Sequence, residues 1–119
     1  MVLIDTGFFY ALADWNDRNH LKARNMLSDI NEEFATTWPV IAETCHLLLN
    51  RLGNDAQKKF MSSLPHQNII EIKDEHLPRM RQLMEIYAEL PMDLADASIF
   101  VVAESLGCDK ILSTDRRLF

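Results

Sequence analysis

Short apolar runs alternate with amphipathic stretches along the whole chain. Met1–Ile4 is wholly apolar and ends at Asp5, the pattern of a buried strand. Thr6 stands as an N-cap before an apolar, aromatic stretch, Gly7–Ala13. Asn19–Ile30 sets Leu21, Met26, Leu27 and Ile30 on one stripe, which predicts a helix. Glu33–Thr37 reads as a second strand, and Pro39 suits the first turn of the helix after it. That helix carries Ile41, Cys45, Leu48 and Leu52 on one face and closes at Gly53 as its C-cap. Asn54–Leu64 is a further helix, stopped by Pro65, and Asn68–Ile72 is a third strand. Asp74 caps a helix in which Leu77, Met80, Met84, Tyr87 and Leu90 keep the helical period up to Pro91. Asp93–Leu106 is the last helix, closed by Gly107, and Cys108–Ser113 is the fourth strand.

Strands alternating with helices predict an α/β fold with a parallel sheet covered on both faces. At 119 residues the chain is expected to be a single domain, with a core large enough to fold without disulfide or structural zinc. Its hydrophobic share of 48% and charged share of 25% exclude disordered and low-complexity classes. No apolar run approaches the ~20 residues that span a bilayer, and Asp5 interrupts the start of any signal peptide. A cytoplasmic protein with no membrane partner is expected. Cys45 and Cys108 lack the density of a secreted scaffold and the spacing of a zinc or redox motif, so both read as reduced core residues.

The net charge of -6 argues against a protein that coats nucleic acid electrostatically. It agrees with a site that grips phosphate through bound cations, since such a site must itself be acidic. Ligands of an open parallel sheet gather outside the carboxyl ends of its strands. Asp5 ends the first predicted strand, Asp115 lies just past the fourth, and Glu43 falls early in the helix after the second. Asp93 and Asp96, three apart, share one face at the start of a helix. Each acid alone has an ordinary explanation. Asp5 reads as a cap, Asp93 and Asp96 as complements to a helix dipole, and Asp115 as a turn partner of Arg116 or Arg117. Glu43 is the one charge in ATTWPVIAETCHLLL. Together the four segments direct carboxylates to one end of the sheet. Oxygen ligands of that kind suit Mg²⁺ or Mn²⁺, and two ions about 4 Å apart can hold a phosphodiester for in-line attack by water.

VLIDTGFFYALAD, WPVIAETCHLLL, LADASIFVVAESLG and ILSTDRRLF, in that order, resemble a PIN domain, most of all the VapC-type toxin branch. The resemblance spans essentially the whole chain, residues 1–119, with about Gly53–Met92 matching only in predicted structure. It implies a three-layer α/β/α fold around a mainly parallel sheet and a metal-dependent endoribonuclease activity. The family's four acids match Asp5, Glu43, Asp96 and Asp115 as catalytic metal ligands, and Asp93 matches an additional acid of part of the family. Ser113 and Thr114 match hydroxyl residues that orient the last acid, and Arg116 and Arg117 lie where they would contact phosphate. The resemblance further implies Mg²⁺ or Mn²⁺ as cofactor, an RNA substrate, a cognate antitoxin protein and a homodimer. Family members continue past a DRRLF-like segment with a final edge strand, for which this sequence has no counterpart.

Two alternatives stay beside this reading. One is an acidic, PIN-like binding module with little or no catalysis. The other is a haloacid-dehalogenase-like phosphotransferase, against which Gly7 stands where that family needs a second Asp. His46 lies three residues after Glu43, but no third nitrogen or sulfur ligand completes a zinc site. No nucleophile elbow and no phosphate-cradling glycine loop occurs. Phe8, Phe9 and Tyr10 read as core, as do Met80, Met84 and Tyr87 unless they face a partner.

Overall fold

A computed structural model describes residues 1–64 and 68–114 of the chain. Four parallel strands form one sheet in the order β3-β2-β1-β4: β1 (Val2–Ile4), β2 (Phe34–Thr37), β3 (Ile69–Ile70) and β4 (Ile111–Leu112). Six α-helices connect and cover them: α1 (Thr6–Ala13), α2 (His20–Ser28), α3 (Trp38–Arg51), α4 (Asn54–Ser63), α5 (Leu77–Ile86) and α6 (Leu94–Leu106). The three-layer α/β/α architecture expected from the sequence is the one observed.

The central strand explains its own burial. Val2, Leu3 and Ile4 are all buried because β1 has a neighbour on each edge and helices on both faces. Leu3 packs with Val40, Ala95, Ile99 and Val102 toward α3 and α6. Val2 and Ile4 pack with Phe8, Ala11 and Ala23 toward α1 and α2. Alternate residues of one strand thus serve two cores on opposite faces. Two satellite clusters complete the interior. Met80, Leu83, Met92, Ala97 and Val101 join α5 to α6, and Tyr10, Ile41, Leu48 and Phe60 join α1, α3 and α4.

Several boundaries differ from the sequence pattern. Asp5, not Thr6, is the N-cap of α1, and its carboxylate accepts the Phe8 N–H at 2.9 Å. Thr6 is the first helical residue. Leu52 was expected on the buried face of α3, yet it is the C-cap and lies exposed. Gly53 follows with φ +99°, outside the ordinary range of side-chain-bearing residues, and begins α4 at once. Leu21 leaves its expected stripe and is 68% exposed, because Ala23 is the residue of α2 that reaches the core. Asp74 opens a short 3-10 turn, Asp74–His76, and α5 ends at Ile86 rather than at Pro91. Tyr87 is therefore exposed beyond the helix instead of inside its apolar stripe. Cys45 and Cys108 are free thiols, half-buried against core clusters rather than fully interior. The stop expected at Pro65 lies outside the described residues, as do Asp115, Arg116 and Arg117. Among the described residues, no helix is long and apolar enough to cross a membrane.

Candidate active site

The connections from β1 run toward β2 on one side, while the chain returns from β3 to place β4 on the other. The divergence between β1 and β4 is a topological switch point, where the strands' carboxyl ends leave a crevice. Asp5 stands there, continuing β1, and its N–H donates to the Leu112 carbonyl at the end of β4. Continuing the register of Leu3 with Ile111 and Ile4 with Leu112 sets Asp5 level with Ser113. The next residue, Thr114, closes over the start of α1. A Cβ added to Gly7 would lie 2.7 Å from Thr114 Oγ1 and 3.8 Å from Asp5 Oδ1. A side chain at position 7 would therefore have to displace the Thr114 hydroxyl, a close approach that glycine permits.

On the other edge of β1, the register of Leu3 with Ala35 sets Asp5 level with Thr37, the N-cap of α3. Thr37 Oγ1 accepts from Val40 N–H and meets Ser98 Oγ of α6 at 2.6 Å, with both side chains fully buried. This hydroxyl pair ties the N-terminal ends of α3 and α6 together beneath the acids. Buried polar groups hold a defined geometry only when satisfied. Ser98 also donates to the Ala95 carbonyl at 2.7 Å, and Thr44 donates to Val40 at 2.8 Å. Sequence reasoning passed over Thr37 and Ser98; the Thr-Trp-Pro order, a cap just ahead of a first-turn proline, marks the former.

The N-terminus of α6 is a reciprocal capping box. Asp96 N–H donates to Asp93 Oδ1 at 2.9 Å, and Asp93 N–H donates to Asp96 Oδ2 at 3.3 Å. A capping role and a place in the acid cluster are thus compatible, and Asp5, Asp93 and Asp96 all hold both. Burial, the neighbouring Asp93 charge and, more weakly, Asp5 push Asp96 up to about 7, against the opposing backbone N–H bond. Burial raises Glu43 as well, helped by Asp93, while His46 opposes. Charge coupling thus links Asp96 with Asp93 and Asp5, and Glu43 with Asp93, across three elements.

Among the described residues, no Lys or Arg pairs with Glu43, Asp93 or Asp96; the ion pairs are Met1 and Lys110 with Glu32, and Arg79 with Glu104. No group of three described His, Cys, Asp or Glu is gathered tightly enough to enclose an ion. The donors nonetheless fit a hard divalent cation, which takes one or two carboxylates and completes its shell with water. All are oxygen, and their mutual repulsion marks a place short of positive charge. Next to Asp5 in sequence, Thr6 Oγ1 is buried and has no hydrogen-bond partner among the described residues. His46, three residues from Glu43, bonds Asn50 on the exposed side of α3.

The model of the PIN domain family matches residues 2–119. The chain belongs to the PIN domain family. Its fold is similar to the crystal structure of Mycobacterium tuberculosis VapC20, described as a sarcin-ricin loop cleaving toxin. The TM-score is 0.91 at 20% sequence identity, over 99% of this chain and 92% of that one. No curated protein matches significantly. In this PIN domain the described acids lie at the carboxyl end of the sheet, separate from an apolar cavity. That cavity, about 830 Å³, is lined by Phe9, Leu12, Leu27, Phe34, Phe60 and Ile69, among others, between α1, α2 and α4.

Proposed function

We propose that this PIN domain is a metal-dependent endoribonuclease of the VapC-like toxin kind. The observation that carries the reading is the approach of Asp5, Glu43, Asp93 and Asp96 from three elements, where burial and the Asp93 charge raise the Glu43 and Asp96 carboxyls. We assign Asp5, Glu43 and Asp96 as ligands of Mg²⁺ or Mn²⁺ with Asp93 assisting, and Asp115 as a fourth acid from beyond β4. A bound divalent ion supplies Lewis-acid polarisation of phosphate and lowers the pKa of water. The chain's own part is to hold the carboxylates at the N-terminal ends of α1 and α6 and in the second turn of α3, and the backbone dipoles at those helix starts also favour a phosphate. Ser113 and Thr114 position the Asp115 segment, and Arg116 and Arg117 contact phosphate.

Restraint of such an activity requires a partner, and the excess of carboxylates fits an antitoxin that brings a basic side chain into the cluster. The apolar surplus of α1 and α2 supports a two-fold homodimer in the cytoplasm, with Phe9, Leu12 and Leu27 half-buried beside an open cavity. Light scattering at tens of micromolar checks the dimer, and a monomer there refutes it.

The test of activity is cleavage of single-stranded RNA and of tRNA in Mg²⁺ or Mn²⁺, with loss in EDTA. Products should carry a 5′-phosphate and a 3′-hydroxyl. Cleavage unchanged by chelator, or a 2′,3′-cyclic phosphate, overturns the metal-dependent reading. Binding of a partner without any cleavage would favour the acidic binding module instead.

A further inference from the structure

Trp38 is 52% exposed, although it directly follows Thr37, whose side chain is wholly buried. A large aromatic ring left half in water carries a hydrophobic cost and is common where a surface meets a partner. Its place is informative. Extending the observed register sets Thr37 beside Asp5 across a strand spacing of about 4.8 Å. The Trp38 backbone is one residue further on, about 3.8 Å along the chain. Trp38 thus stands on the rim of the crevice, at the first position of the helix that carries Glu43. Leu94, also 52% exposed, holds the equivalent first position of α6, next to Asp93. Two of the three helices that bring acids to the cluster, α3 and α6, therefore place a large, exposed apolar side chain directly after the N-cap.

Among the described residues, the ring contacts are those of Phe9 with Phe60, Trp15 with His20, and Arg51 over Tyr10. Trp38 is in none of them, and about half of its surface is exposed. A phosphodiester chain lying across the acids carries a base on each nucleotide, and an aromatic face beside the phosphate track is the standard means of holding an unpaired base. A paired base in an A-form helix is stacked and cannot offer its face.

Building on the ribonuclease reading above, we propose that Trp38 is a base-stacking residue that holds an unpaired nucleotide beside the phosphate to be cut. Trp38 positions substrate and takes no part in bond making.

The experiment places Trp38 as the sole tryptophan by working in a Trp15→Phe background. Trp15 lies past the far end of α1 from Asp5, so that change is remote from the acids. Trp38 fluorescence is followed, in Ca²⁺, as a short oligoadenylate or an abasic oligomer of equal length and charge is added. Quenching by the oligoadenylate but not by the abasic chain is expected. Equal response to both, or none to either while RNA is cleaved, overturns the stacking role and leaves the nuclease reading standing. No cleavage by the wild type in Mg²⁺ or Mn²⁺ overturns the nuclease reading itself, and the stacking role with it. In kinetics, Trp38→Ala is expected to raise KM for single-stranded RNA by about 10-fold or more with kcat little changed. Trp38→Phe should restore most of the loss. A KM unchanged in Trp38→Ala, or a change in oligomeric mass that accounts for the loss, shows instead that the ring serves an interface between copies. The melting temperature of Trp38→Ala, expected to equal wild type for so exposed a ring, separates these outcomes from misfolding.

Discussion

Two regions of the molecule are left incomplete by the fold in opposite ways. At the carboxyl end of the sheet, Asp5, Glu43, Asp93 and Asp96 gather like charges in a half-buried crevice. Between α1, α2 and α4, Phe9, Leu12, Leu27 and Phe60 border an apolar cavity of about 830 Å³ with few charges, Asp55 and Lys59 among them. The first is unfavourable through electrostatics, and a cation or a basic group relieves it. The second is unfavourable through exposed hydrocarbon, and only apolar surface relieves it. The acids are held to tight tolerances by caps and buried hydroxyls, because repelling groups need a rigid frame. The cavity walls need only shape and apolarity. Stability lost at the acid end is thus separable from stability lost at the cavity.

That separation can be broken at either end. Asp96→Asn should have the largest effect, lowering RNA cleavage by on the order of 100-fold or more while the fold remains. Asparagine keeps the capping geometry but removes a charge, so circular dichroism should be unaltered. An active Asp96→Asn protein would remove Asp96 from the site.

Phe60→Ala tests the other region. Phe60 is 7% exposed and meets Phe9 edge-on at 5.1 Å. The truncation should cost about 3–5 kcal/mol in denaturant melts and leave cleavage per folded molecule unchanged. A fall in specific activity with stability intact would join the two regions that the comparison separates.

The pH dependence sharpens the electrostatic half. An Asp raised from 3.8 to about 7 binds its proton more tightly in the folded state than in the unfolded one. Its contribution is full below about pH 4 and is lost as pH rises through about 7. The EDTA-treated protein should therefore lose stability across that window, on the order of 1–2 kcal/mol once solvent screening of a half-buried group is allowed for. Asp96→Asn should flatten the curve, and Mn²⁺ should stabilise wild type at pH 7 more than the variant. The difference between the two proteins isolates the cluster from Glu32 and Glu104, whose ion pairs with Lys110 and Arg79 hold their carboxyls low and act in the opposite sense. Equal pH curves for the two proteins would show that the charges do not meet as described.

The smallest effect belongs to neither region. Arg79 reaches Glu104 through Nε at 3.0 Å and Nη2 at 2.9 Å, but on the surface. Arg79→Gln should leave melting and cleavage both unmoved, as exposed pairs usually do. A loss of activity there would mean that α5 communicates with the acid end.

What the chain determines by itself is its local grammar and the list of chemical candidates. The apolar run before Asp5, the Thr-Trp-Pro start of α3 and the Asp-Leu-Ala-Asp start of α6 specify elements through backbone needs that neighbouring residues meet. The acids were legible for the same reason, since each stands at or just past a strand end or within the first two turns of a helix. The last acid, Asp115, lies outside the described residues and stays a reading of sequence alone. Only tertiary structure decides the rest. Whether Asp5 or Thr6 caps α1 depends on where β4 presses, because Asp5 is pinned by Leu112 while Thr114 settles over Gly7. Leu21 and Tyr87 carry apolar side chains at helical spacing, yet one faces water because Ala23 fills the contact and the other because α5 ends first. The raised Asp96 carboxyl is the clearest case. Nothing in its neighbours along the chain, other than Asp93, predicts it; burial among segments from distant parts of the sequence does. Hydrogen bonding within a turn is local and can be read in order, whereas burial and charge proximity are sums over everything that folding brings near.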